Sequence, residues 1–164
     1  ALREDDSHKA VQGVVARAVC DPAAVLKALG EPSAGGIQKL HQSSTLTVLN
    51  VIWPPKMTIM PHDHRMWAVI GVYTGREDNI FWRRREAGDG RGIEAAGAKA
   101  LSVKDAAPLG RNIIHSVTNP IPRLTGAIHV YGGDFFAAHR SEWDPDTLSE
   151  HIDLGEIVLS GSIP

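Results

Sequence analysis

The chain has 164 residues, 17 lysines and arginines against 19 acids, a formal net charge of −2 and one cysteine. That length suits a single domain with its own core, and the near-balanced charge gives no electrostatic reason for a nucleic-acid or acidic-membrane partner. A lone cysteine excludes an intrachain disulfide framework and suits a reducing compartment, and no segment has the length and apolarity of a membrane span.

Residues 1–6 carry no apolar run of the kind a secretory leader needs, so a cytoplasmic chain is expected. The first forty residues read as helical. Val11, Val14, Val15 and Ala18 fall at i, i+3, i+4 and i+7, an apolar stripe on a helix of roughly three to four turns. Asp21-Pro22 places an N-cap before proline at the first helical position, and Gly30 suits the residue after a helix end. A second helix is therefore predicted over 22–29, with Val25, Leu26 and Leu29 inward, and Cys20 on the first helix reads as a small buried apolar residue. Residues 31–36 read as a loop.

From Ser44 the character changes. Segments 45–53, 57–60, 67–73, 79–84, 113–117 and 124–131 are short and rich in Val, Ile, Thr and aromatics, with Pro, Gly and Asn breakers between them. Asp144-Pro145 repeats the N-cap and proline signal and predicts a terminal helix over 147–151. The expected organisation is one mainly β domain, a helical cap over 1–43 and an antiparallel barrel or sandwich over 44–164.

Within the β-rich part, Pro61-His62-Asp63-His64 places two histidines at the alternation of a strand, where both imidazoles aim at one point. A third, His115, lies in Pro108-Leu-Gly-Arg-Asn-Ile-Ile-His115-Ser-Val-Thr-Asn119. Three imidazoles would fill one face of a metal's coordination sphere and leave the rest open for chemistry. Neutral imidazoles suit Fe, Zn, Ni and Cu alike, and they leave the metal's charge uncompensated, which favours an anionic ligand such as a thiolate or carboxylate. His129 and Tyr131, at i and i+2, share a strand face, so His129 can hold the Tyr131 hydroxyl towards a barrel interior. Arg65 and Arg83, with Arg84 and Arg85, are candidate forks for a substrate carboxylate. Trp67 is a candidate substrate contact, although with Tyr73 and Trp82 it also reads as core or rim packing.

These motifs resemble the cupin superfamily, whose fold is a double-stranded β-helix, a jelly-roll barrel. His62, His64 and Gly75 match the first cupin motif, and Pro108, Gly110, His115 and Asn119 match the second, with four residues between Gly110 and His115. The glutamate ligand of many cupins is missing, because residues 65–70 contain no acid. Within cupins the chain is similar to the cysteine dioxygenase-like thiol dioxygenases over about residues 11–150. They share two amino-terminal helices, a Trp nine residues before the HDH run (Trp53) and a His-x-Tyr pair (His129, Tyr131). The ending from Arg140 to Leu148 also looks like tails of bacterial members of that group.

The resemblance implies Fe(II) held by His62, His64 and His115, with Zn or Ni as possible occupants after purification. It further implies O2 and a small thiol as co-substrates, a sulfinate product, and Tyr131 and His129 as catalytic residues. The serine of the family's Ser-x-His-x-Tyr triad is Ala127 here. Residues 36–42 lack the carboxylate-binding arginine, and Val69 lies near the position of the crosslinking cysteine. A metal cupin cleaving carbon–carbon bonds in diketones and a non-catalytic ligand-binding cupin would use the same three histidines.

Overall fold

The computed structural model describes residues 8–86 and 92–153. Helices α1 (His8–Val19) and α2 (Pro22–Leu29) precede strands β1 (Gly36–Gln42), β2 (Thr47–Trp53), β3 (Thr58–Asp63), β4 (Ala68–Thr74) and β5 (Arg76–Arg84). Strands β6 (Ile93–Ser102), β7 (Ala106–Leu109), β8 (Ile114–Thr118), β9 (Thr125–Tyr131), β10 (Arg140–Trp143) and β11 (Glu150–Asp153) follow. They pair into two antiparallel sheets, ordered β1-β2-β9-β4-β7 and β11-β10-β3-β8-β5-β6. No helix among the described residues is long and apolar enough to cross a membrane.

Alternation explains how the layers meet. In β4, Ala68, Ile70 and Val72 enter the core between the sheets with Leu49, Val51, Trp53, Ala127 and Tyr131. Val69 and Tyr73, on the opposite face, pack with Val130 against Val11, Val15 and Val19 of α1. Hence β4 is buried on both faces and reads as a continuous apolar run. Gly71 lets the helix approach: a Cβ there would lie 2.4 Å from Val15 Cγ1 and 2.9 Å from Val19 Cγ1. We expect Gly71→Val to cost about 1–3 kcal/mol, seen as a lower urea midpoint at unchanged m-value. Gly75 turns β4 into β5 at φ 80, with Thr125 so close that a Cβ would meet its Oγ1 at 2.2 Å.

The cap differs from the sequence expectation in several ways. The buried line of α1 is Val11, Val15 and Val19, whereas Val14 is 45% exposed and Ala18 is exposed as well. The helix touches the sheet along a single i, i+4 ridge rather than a broad stripe. Helix α2 has its expected Asp21 cap, accepting the Ala24 N–H at 3.2 Å, but Val25, Leu26 and Leu29 are only half-buried. Cys20 is exposed, just beyond α1. Residues 36–42, expected within the helical cap, form edge strand β1, held by its ladder with β2 rather than by an apolar face.

The terminal helix expected over 147–151 is instead the turn and first residues of the β10–β11 hairpin. The Asp144 carboxylate accepts the N–H groups of Asp146 (3.0 Å) and Thr147 (2.8 Å), and Leu148 at φ 54 sends the chain back. A capped Asp-Pro start is equally a turn signal, and no apolar helical stripe follows it here.

Candidate metal centre

His62 on β3 faces His115 on β8 directly across the antiparallel pair, and His64 follows just past the end of β3. The ring centroids lie 4.8 Å (His62–His64), 4.6 Å (His62–His115) and 5.1 Å (His64–His115) apart. One ring nitrogen of each lies within 4.8 Å of the others, and all three residues are buried.

Hydrogen bonds select the nitrogens. A carbonyl only accepts, so His62 donates from Nδ1–H to the Met60 carbonyl at 2.9 Å and keeps its Nε2 lone pair free. His115 Nδ1 sits 2.7 Å from Asn79 Oδ1. His64 Nε2 and His115 Nε2 lie 2.9 Å apart, where one neutral ring donates its N–H to the other in the metal-free chain, or both lone pairs meet a bound cation. None of the three rings is favoured in its charged form near neutral pH. Burial lowers the His62 pKa to about 4, and burial plus the neighbouring rings push His64 and His115 well below the ordinary range. Three neutral nitrogens converging in a buried site fit a divalent transition metal.

The same shifts set a pH dependence. In the metal-free folded chain these rings stay neutral, whereas the unfolded chain protonates them below the ordinary value of 6.5. The unfolded state thus binds more protons between about pH 6.5 and 4, and folded stability falls as pH falls through that window. For His62 the difference amounts to about 3 kcal/mol. Thermal melts of metal-free protein are expected to drop steeply from pH 7 to 4.

Behind the histidines, β5 presents Glu77 and Asn79 to the interior at i and i+2. Glu77 is 0% exposed and accepts from Trp53 Nε1 at 2.7 Å and Asn79 Nδ2 at 3.1 Å. His129 Nε2 approaches Glu77 Oε2 to 3.3 Å, off the hydrogen-bond direction, and His129 Nδ1 lies 3.0 Å from the Tyr131 hydroxyl. Burial alone would raise the Glu77 carboxyl, but His129, Trp53 and Asn79 together hold it below its usual value, so it is an anion in the core. Burial, reinforced by that anion, pushes the Tyr131 hydroxyl far up, and it stays a neutral phenol. Ala127 offers no hydroxyl to His129, and the polar group beside the imidazole is Glu77.

A cavity of about 70 Å³ borders the three histidines, His129, Tyr131 and Arg140, with Trp53 and Phe135 among its apolar walls. Arg140 opens β10 and is 4% exposed. Its Nη2 donates to the Phe135 carbonyl at 2.9 Å, its guanidinium lies 4.4 Å over the Phe135 ring, and its Nε is buried without a partner. Asp63, between the two HDH histidines, fixes this strand by accepting the Ser141 N–H at 2.9 Å, and Glu142 pairs with His62.

The expected substrate contacts lie elsewhere. Arg65, at φ 52, turns outward to Ser141 Oγ (2.8 Å) and lines an open groove of about 470 Å³. Trp67 borders the same groove, its indole lying against Gly132. The Arg83 side chain is 70% exposed and pairs with Glu94 at 2.7 Å. None of the three borders the histidine cavity; Arg140 does. Sequence reasoning missed Glu77, Asn79 and Arg140. The Glu-Asp-Asn alternation just after Gly75 was available as a signal for the first two, whereas no local pattern marks Arg140.

No family model matches the chain. In fold it is similar to an RmlC-like cupin of Methanocaldococcus jannaschii (8% identity, TM-score 0.51, 64% of this chain and 85% of that one). A Bacillus halodurans protein (15%, 0.51, 62% and 72%) and the DMSP lyase DddQ of Ruegeria pomeroyi (16%, 0.51, 68% and 53%) are similar to the same degree. At such identities the likeness is one of fold. The chain is a mainly β protein with the cupin double-stranded β-helix fold and two amino-terminal helices.

Proposed function

We propose that the chain is a mononuclear non-haem iron dioxygenase that adds O2 to a small thiol bearing a carboxylate, R–SH + O2 giving R–SO2H. The observation that carries the reading is Arg140, a buried guanidinium with an unpartnered Nε in the cavity of the three histidines. An arginine fork suits a carboxylate, and in a water-poor cavity the pairing is strong. At roughly 10–15 Å³ per water-sized group, the cavity of about 70 Å³ suits a ligand of only a few non-hydrogen atoms. The resemblance to thiol dioxygenases supports iron, because three imidazoles alone suit zinc or nickel as well.

Held by His62, His64 and His115, Fe(II) would supply sites where a thiolate and O2 react. The protein's own residues do the rest. Arg140 binds the carboxylate and orients the thiol. His129 holds the Tyr131 hydroxyl at the cavity wall, where it steers the reactants. Phe135 and Trp53 keep bulk water away.

The test loads the protein anaerobically with Fe(II) and records O2 uptake and sulfinate with 3-mercaptopropionate, cysteine and cysteamine. One O2 consumed per sulfinate is expected, with the two carboxylates ahead of cysteamine. No uptake with any of the three overturns the reading. Metal binding without turnover would then favour a ligand-binding cupin, and cleavage of a diketone another oxygenase.

A further inference from the structure

We infer that Glu77 is a positioning residue that fixes two histidine tautomers at once, His115 for metal binding and His129 for its bond to Tyr131. The inference rests on the three-histidine site holding a metal, and is independent of the reaction catalysed there.

A carboxylate can only accept hydrogen bonds, and both oxygens of Glu77 are engaged. Oε1 takes the Asn79 amide N–H at 3.1 Å, and Oε2 takes the Trp53 indole N–H at 2.7 Å. An asparagine amide has two nearly isosteric ends, and only its neighbours decide which way it faces. With its nitrogen committed to Glu77, Asn79 must present Oδ1 to His115, 2.7 Å from Nδ1. That oxygen accepts, so Nδ1 carries the hydrogen and the Nε2 lone pair faces His64 and the site. On the other arm, His129 Nε2 lies 3.3 Å from Glu77 Oε2. A lone pair there would oppose the carboxylate, so Nε2 carries the hydrogen and Nδ1 accepts. The Tyr131 hydroxyl, 3.0 Å from Nδ1, is then the donor and turns its own lone pairs towards the cavity.

The isosteric substitution Glu77→Gln replaces one acceptor by a donor. The Trp53 indole cannot invert its N–H, but the Asn79 amide can turn over. The new amide therefore keeps its oxygen on Trp53 and points its nitrogen at Asn79, which flips and presents N–H to His115. His115 moves its hydrogen to Nε2, the nitrogen that a metal needs bare. His129 still meets an oxygen and keeps its tautomer. Adding Asn79→Asp restores an acceptor between the new amide and His115 Nδ1–H, with the charge moved one step along the strand face.

Two measurements test this. Long-range 1H–15N spectra of metal-free protein labelled at histidine nitrogen, assigned through His115→Gln and His129→Gln, are expected to show Nδ1–H for His115 and Nε2–H for His129. In Glu77→Gln the His115 pattern inverts and that of His129 stays. Zn(II) affinity, by competition with a chromophoric chelator, is expected to fall about 10–100-fold in Glu77→Gln and to recover in the Glu77→Gln/Asn79→Asp double variant. The opposite tautomer in the wild-type spectra, or unchanged Zn(II) affinity in a folded Glu77→Gln protein, overturns the inference. Should Glu77→Gln not fold, the wild-type spectra decide alone. Failure of thiols to support O2 uptake would sink the dioxygenase reading and leave this one standing.

Discussion

His64→Leu is expected to abolish metal retention while leaving the metal-free protein as stable as the wild type, or more so. His64 is a buried ring whose Nε2 opposes His115 Nε2 at 2.9 Å and whose Nδ1 has no partner. Without a metal the unpartnered Nδ1 is unfavourable and the Nε2 contact is at most one neutral hydrogen bond worth about 1 kcal/mol, so removing the unsatisfied buried nitrogen offsets that loss. Two imidazoles remain, too few to define the site, so the fall in affinity should exceed the roughly 10–100-fold typical of losing an outer partner. Elemental analysis after Fe(II) loading and urea melts of the metal-free proteins give the two readouts. A destabilised metal-free variant would show that His64 is a packing residue first. Retention of a full equivalent of metal would remove it from the site.

Arg140→Met is expected to lower kcat/KM for 3-mercaptopropionate and cysteine by about 30- to 1,000-fold, from about 2–4 kcal/mol for a desolvated charge-assisted pair. Turnover of cysteamine, which has no carboxylate, should change little. Methionine keeps an unbranched apolar chain over the Phe135 ring, so packing is largely preserved, while the hydrogen bond to the Phe135 carbonyl is lost. Arg140→Lys keeps the charge without the fork and should fall in between. Equal losses for all three thiols would mean that Arg140 supports the wall without binding the substrate.

The fold was largely legible where a strand is buried and its apolar run is bounded by turn residues. Segments 45–53, 67–73 and 124–131 became β2, β4 and β9, because half or more of each is buried. Strands β1 and β6 left no such trace: Gly36–Gln42 is an edge strand, and the alanines and glycine of Ile93–Ser102 face solvent along a ladder with β5. Their strand character comes from the neighbour, a tertiary effect that local propensity does not contain.

The candidate site divides in the same way. His62, His64 and His115, and the pair His129 and Tyr131, share strand faces or motif spacing and came together as expected. Glu77 lies only two residues past Gly75, in what read as a turn, because β5 begins at Arg76 rather than at residue 79. Arg140 reaches the cavity through the pairing of β10 with β3 and the Asp63–Ser141 bond, the latter joining residues 78 apart in the chain. Arg65 and Arg83 were attractive for nearness in sequence, yet a left-handed backbone turns one outward and the exposed end of β5 carries the other into solvent.

Strand β9 works on both of its sides. Ile128 and Val130 belong to the layer under the helices, while His129 and Tyr131 belong to the cavity. A slip of one residue exchanges the two sets, putting polar rings beneath a helix and an aliphatic side chain beside the histidines. Homologues can therefore vary this strand by substitution, but an insertion or deletion within it would cost fold and function together, and such length changes should collect in the loops on either side.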